Sequence, residues 1–141
     1  MSRFAIEANF WPLIIVRYPP IATDNEAHAY IRELRQCHER ARAESVVMGA
    51  VVDFRHITPR GATAGMRRLL ARELNLIFKE YGHMYACDAI VADSALLRGL
   101  VTAGYWLIPN KKFPVRCFDN IVAATVWGKE IVRARNAKVA V

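Results

Sequence analysis

Three aspartates each follow an apolar run. Asp53 follows Val46 to Val52, Asp93 follows Ala86 to Ala92, and Asp119 follows Val115 to Phe118. If those runs are parallel strands, their carboxyl ends share one edge of a sheet. Carboxylates gathered there could exchange protons with a substrate or hold a divalent cation. A structural reading competes with that one. Asp93-Ser94 and Asp119-Asn120 stand where helices begin, and a carboxylate there satisfies free N–H groups and the helix dipole. Asp53 differs, because Thr58-Pro59 is expected to cap the helix that follows it, leaving Asp53 to pair with Arg55 or Arg60. The turn is basic at Arg55, His56 and Arg60. The candidate binding residues are therefore Asp53, Arg55, His56, Thr58 and Arg60, with Asp93 and Ser94 beside them.

Other chemistries find no support in the spacing. The chain has no CxxC and no HExxH, and His83 with Cys87 has no second pair. No nucleophile elbow or glycine-rich phosphate loop occurs, and Gly61 with Gly65 is too thin a signal for one. The expectation is no catalytic residue, no metal and no cofactor. Gly61 and Gly65 are expected to let another element or a ligand approach closely. His28 and His38 fall on the flanks of a helix and are expected at its surface.

Composition bounds the rest. The 141 residues suit one domain, 1–141, and 54% are hydrophobic. The net charge of +7 is spread along the chain, which reads as a solvated basic surface; nucleic acid is not expected as a partner. Three scattered cysteines, Cys37, Cys87 and Cys117, do not form a disulfide framework and suggest reduced thiols. Met1 to Asn9 has no apolar core of a signal peptide, and no stretch has the roughly 20 apolar residues of a membrane span. A cytoplasmic location is expected.

The elements that must position these residues follow from periodicity. Phe4, Ile6 and Ala8 alternate with Ala5, Glu7 and Asn9, and Leu13 to Val16 follows after a turn; Pro12 puts this hairpin at a sheet edge. Thr23-Asp24 opens a helix with Ala27, Tyr30, Ile31, Leu34, Cys37 and Ala41 on one face. The run from Val46 to Val52 reads as a strand buried on both faces. A second helix is expected from Pro59 to Tyr81, a third from Ala95 to Ile108, and a fourth from Ile121 to Arg135, with 136–141 frayed. Strands at Ala86 to Ala92 and Val115 to Phe118 complete a βα alternation.

In this pattern the chain resembles the STAS, or SpoIIAA-like, domain family, closest to its bacterial STAS/SEC14-type branch. The resemblance rests on Phe10-Trp11-Pro12-Leu13-Ile14-Ile15-Val16-Arg17, on Val51-Val52-Asp53-Phe54-Arg55 leading into Thr58-Pro59, and on Val91-Ala92-Asp93-Ser94-Ala95-Leu96-Leu97-Arg98-Gly99. It implies an α/β fold, a SpoIIAA-like βα superhelix: a mixed five-stranded sheet with an N-terminal edge hairpin and four helices. It also implies a regulatory, protein-binding role without catalysis. Regulatory members carry a phosphorylatable serine in an Asp-Ser-x-Gly-like turn after the central strand. Here that turn reads Arg55-His56-Ile57-Thr58-Pro59-Arg60-Gly61; Thr58 is the nearest hydroxyl, and no phosphosite is carried over.

The third helix adds an expectation of its own. Ser94, Arg98, Thr102 and Tyr105 form a narrow polar face, and nearly everything else is apolar. Such a helix is covered on more than one side: by a subunit or partner, by deep burial under the neighbouring helices, or by lining a lipophilic cavity. Leu97, Leu100, Val101, Tyr105 and Trp106 are the candidate interface for a protein partner or a homo-oligomer. The alternative is a domain that binds a small apolar or anionic ligand, as the SEC14 kinship and the basic turn suggest.

Overall fold

The computed structural model describes residues 3–105, 107–109 and 111–139. Five strands, β1 (Ala5–Phe10), β2 (Leu13–Arg17), β3 (Met48–Asp53), β4 (Tyr85–Val91) and β5 (Val115–Phe118), lie side by side in chain order. β1 is antiparallel to β2, and the other neighbours are parallel. This is the mixed sheet with an edge hairpin that the sequence implies. β3 is its central strand and is buried at every position.

Helices α1 (Asp24–Glu44), α2 (Ala64–Tyr81) and α3 (Ala95–Tyr105) connect successive parallel strands. Their apolar faces meet one side of the sheet, in a core with Ile14, Val16, Ala50, Val52 and Ile90. Helix α4 (Ile121–Val139) covers the other side, packing Ala124 and Val132 on Leu13, Val51 and Ala89. Gly49 makes that contact close: a Cβ there would lie 2.8 Å from Val132 Cγ2.

The caps are built from side chains the sequence offers. Thr23 Oγ1 accepts the Glu26 N–H at 3.1 Å while Glu26 Oε1 accepts the Thr23 N–H at 3.0 Å. Ser94 Oγ accepts the Leu97 N–H at 3.1 Å, and Asn120 Oδ1 that of Ala123 at 2.8 Å.

Four expectations are corrected. Helix α2 begins at Ala64, capped by Thr63, and not at Pro59. Thr58 does start a turn, accepting the N–H of Gly61 and Ala62 on its carbonyl, but its hydroxyl donates to Pro20 O at 2.9 Å. The chain is thereby anchored sideways at Gly61, and the helix restarts beyond it. Helix α3 ends at Tyr105, and a turn returns Ile108 to the core. Helix α4 continues to Val139, because Asn136 is pinned: its Oδ1 accepts the Val47 N–H at 2.9 Å and its Nδ2 donates to Val47 O at 2.8 Å. Finally, His38 is buried among Phe78, Tyr81 and Tyr85. It completes the α1 stripe at the spacing of Leu34 plus four, with Cys37 only half-buried beside it.

Candidate functional site

Two places gather polar chemistry. The first is the carboxyl edge of β3 and β4. Asp53 ends β3 beside Val91 of β4, and its side chain is fully buried. Arg55 closes on it from two residues away. Its Nε donates to Asp53 Oδ1 at 2.9 Å, its Nη2 to Oδ2 at 2.8 Å, and its backbone N–H to Oδ1 at 3.0 Å. Arg17 Nε stands 3.9 Å from Oδ2. Burial alone would push the Asp53 carboxyl up; the Arg55 bonds outweigh it and hold the group below its usual range. Both oxygens are occupied, so Asp53 is a clamp for the loop, matching the expected Arg55 pairing.

The other residues of this edge divide. The charges of His56 and Asp93 act on the Asp53–Arg55 pair. Ser94 spends its hydroxyl on the α3 cap and Thr58 on Pro20. Arg60 projects into solvent at the far end of the loop. Gly61 is in tight contact: a Cβ would fall 2.0 Å from Pro20 O, while around Gly65 there is open space.

The candidate interface on α3 is placed differently from the expectation. Leu97 and Val101 face the protein's own core, so they are not free to meet a partner. Leu100 and Tyr105 are half-buried, and Trp106 lies outside the described residues. The exposed apolar side chains here are Leu96 and Leu107.

The second place joins an apolar groove on α3, of the kind the ligand-binding alternative calls for, to a buried carboxylate that the sequence reading does not single out. An apolar groove of about 80 Å³ runs between α2 and α3, lined by Leu70, Leu74, Leu97, Leu100, Val101 and Ile108 among others. Next to it Asp88 is buried in the middle of β4. Tyr105 OH donates to Asp88 Oδ2 at 2.6 Å, and Tyr85 OH donates to Oδ1. Burial pushes the Asp88 carboxyl up to about 6, against the downward pull of the two tyrosines. The signal in the sequence was an aspartate inside the apolar run CDAIVA. What hid its partner was backbone register. Met48 pairs with Tyr85 but Ala50 pairs with Asp88, so β4 carries one extra residue. That bulge turns Tyr85 and Asp88, which simple alternation would put on opposite faces, to the same side.

No family model and no curated protein matches the chain. Among solved structures it is similar to an uncharacterized protein from the DUF3478 family with a SpoIIAA-like fold, from Shewanella loihica PV-4. The TM-score is 0.58 over 91% of this chain and 95% of that one, at 14% identity. The chain therefore has a SpoIIAA-like fold, as its sequence motifs imply. No helix among the described residues is long and apolar enough to cross a membrane.

Proposed function

We propose that this protein is a non-enzymatic regulatory module that docks a protein partner through the loop between β3 and α2. The observation that supports this most is the clamp under that loop. Asp53 and Arg55 hold its start, and Thr58 and Gly61 anchor its middle on Pro20. Yet His56, Pro59 and Arg60 remain exposed. A surface fixed before contact loses little conformational entropy on docking. Its positive charge complements an acidic patch on the partner. The partner is another protein or a second copy of the chain.

A photo-crosslinker at Arg60, with a control at exposed Arg32 on α1, tests the proposal. The expected result is a discrete crosslinked species, to a partner or to a second copy, from Arg60 alone. Equal yields from both positions, or none from either, overturn it.

A second reading is favoured by the α2–α3 groove: a small apolar ligand bound within it. The lining is apolar and concave, as ligand sites commonly are. An anionic ligand at the basic turn has less support, because Arg55 already spends its guanidinium on Asp53.

A further inference from the structure

Beside the groove lies a smaller internal space of about 20 Å³, walled by Asp88, Tyr18, Tyr30, Tyr85 and Tyr105 among others. Tyr18, Leu74 and Tyr105 wall both spaces, so the apolar groove adjoins a polar end. That end has one formal charge. Asp88 is 3% exposed, and no Lys, Arg or His among the described residues is within ion-pair distance of it. The groups facing it are Tyr85 of β4, Tyr105 of α3, Tyr18 beyond β2 and Tyr30 of α1, with the Cys87 thiol beside it in sequence. Near this end His38 meets the Tyr85 ring, at 5.3 Å, and Arg135 Nη1 donates to the Tyr85 carbonyl, at 3.5 Å. A carboxylate can accept about four hydrogen bonds, and here the tyrosines supply two.

We propose that the groove and its inner end form a binding site for a small primary alkylammonium ion, with the chain between α2 and α3 and the ammonium at Asp88. This rests on the small-ligand reading of the groove. A buried carboxylate without a counter-ion is costly, and a compact cation with three donors relieves that cost. Tyrosine rings around it add cation–π attraction. The groove is about half the ~150 Å³ of an engineered cavity that takes up benzene, so the chain it fits is short and unbranched. Arg67 also lines the groove; it is half-buried, and its Nη1 donates to the carbonyl of buried Ala62. Asp88 is the acidic side chain lining these two spaces, and it acts from a buried, low-dielectric position.

The probes are n-butylamine, 1-butanol and butyrate, titrated into the full chain at pH 7.5 and followed by amide NMR shifts. Butylamine is expected to bind about tenfold more tightly than 1-butanol, with butyrate not binding. Asp88→Asn should erase the tenfold preference, and lowering the pH to 5 should weaken amine binding in the wild type as Asp88 takes up a proton. Gly104→Leu is a second variant; Gly104 lines the groove and has room for a side chain, and leucine is chosen there to occlude the site. It should abolish binding of both probes even if Asp88→Asn fails to fold. Equal binding of amine and alcohol, both lost in Gly104→Leu, would keep the ligand groove and refute the ammonium site. No binding of either would refute both. Amine binding indifferent to Gly104→Leu and to pH would place it elsewhere and overturn the proposal.

Discussion

The Tyr105 hydroxyl sits 2.6 Å from Asp88 Oδ2, tying the last turn of α3 to the middle of the sheet. In the sequence Tyr105 reads as the end of a polar stripe shared with Ser94, Arg98 and Thr102, and as a candidate interface residue. In the fold that stripe splits. Arg98 and Thr102 stay outside, while Tyr105 turns its hydroxyl inward to a buried carboxylate.

Tyr105→Phe keeps the ring and removes the donor. It leaves one Asp88 oxygen buried without that bond, which costs about 2 kcal/mol. Urea unfolding should show the loss as a lower midpoint at unchanged slope. A variant as stable as wild type would mean that the hydroxyl contributes nothing to holding α3.

The pH dependence of stability should contain two opposed contributions. Asp88 is raised from 3.8 to about 6, so the native state binds its proton more tightly than the unfolded chain. Its contribution is fully present below pH 3.8 and is lost as pH rises through about 6. His38 is lowered from 6.5 to about 4 by burial and by the neighbouring Arg35 charge. Its contribution is present above pH 6.5 and is lost as pH falls toward 4. Each amounts to about 3 kcal/mol, and over the shared window they offset. Asp88→Asn should therefore lose stability more steeply than wild type on acidification from pH 6.5 to 4. His38→Leu should gain it. Unfolding curves for the three proteins that stay parallel across that range would contradict both assignments.

How far the sequence could be read depended on the range of the interaction. Strand order, the edge hairpin and most helix starts rest on local patterns: the buried run before Asp53, and the caps at Thr23, Ser94 and Asn120. The errors arose where a distant residue decided. Pro20 moved the start of α2, Val47 extended α4 through Asn136, and the aromatic rings of α2 and β4 drew His38 inside. At the carboxyl edge, Asp53 with Arg55 could be seen because the two are neighbours in sequence. The Asp88 cluster could not, because it needs a bulge in β4 and side chains from α1 and α3.

Asp53→Ala removes the acceptor for all three Arg55 donors. Asp53 is buried, but Arg55 is partly exposed and can turn to water once its partner is gone. The cost is therefore below that of a fully buried pair, about 2 kcal/mol. Arg55→Lys keeps the charge but loses the two-pronged geometry, so it should fall between Asp53→Ala and wild type. Hydrogen exchange at the Ile57, Thr58 and Gly61 amides should rise in the same order, since those bonds hold the loop. Unchanged exchange in Asp53→Ala would show that the loop is held from Pro20 alone.

The two glycines near the start of α2 should respond to alanine in opposite directions. Gly65 lies in the first turn of α2 with nothing within 4 Å of an added Cβ. Alanine there gains helix propensity and narrows the unfolded ensemble, so it should stabilise by about 0.5 kcal/mol. At Gly61 an added Cβ would fall 2.0 Å from Pro20 O and 3.2 Å from Ile21 Cα, both backbone atoms that cannot rotate away. The loop must then shift off Pro20, and the Thr58 hydroxyl and N–H lose the carbonyl they share. Gly61 also lines the groove, so the shift should alter its shape. The expected cost is about 3 kcal/mol, read from chemical denaturation of both variants side by side. Equal stability of Gly61→Ala and Gly65→Ala would mean that the contact with Pro20 does not fix the loop.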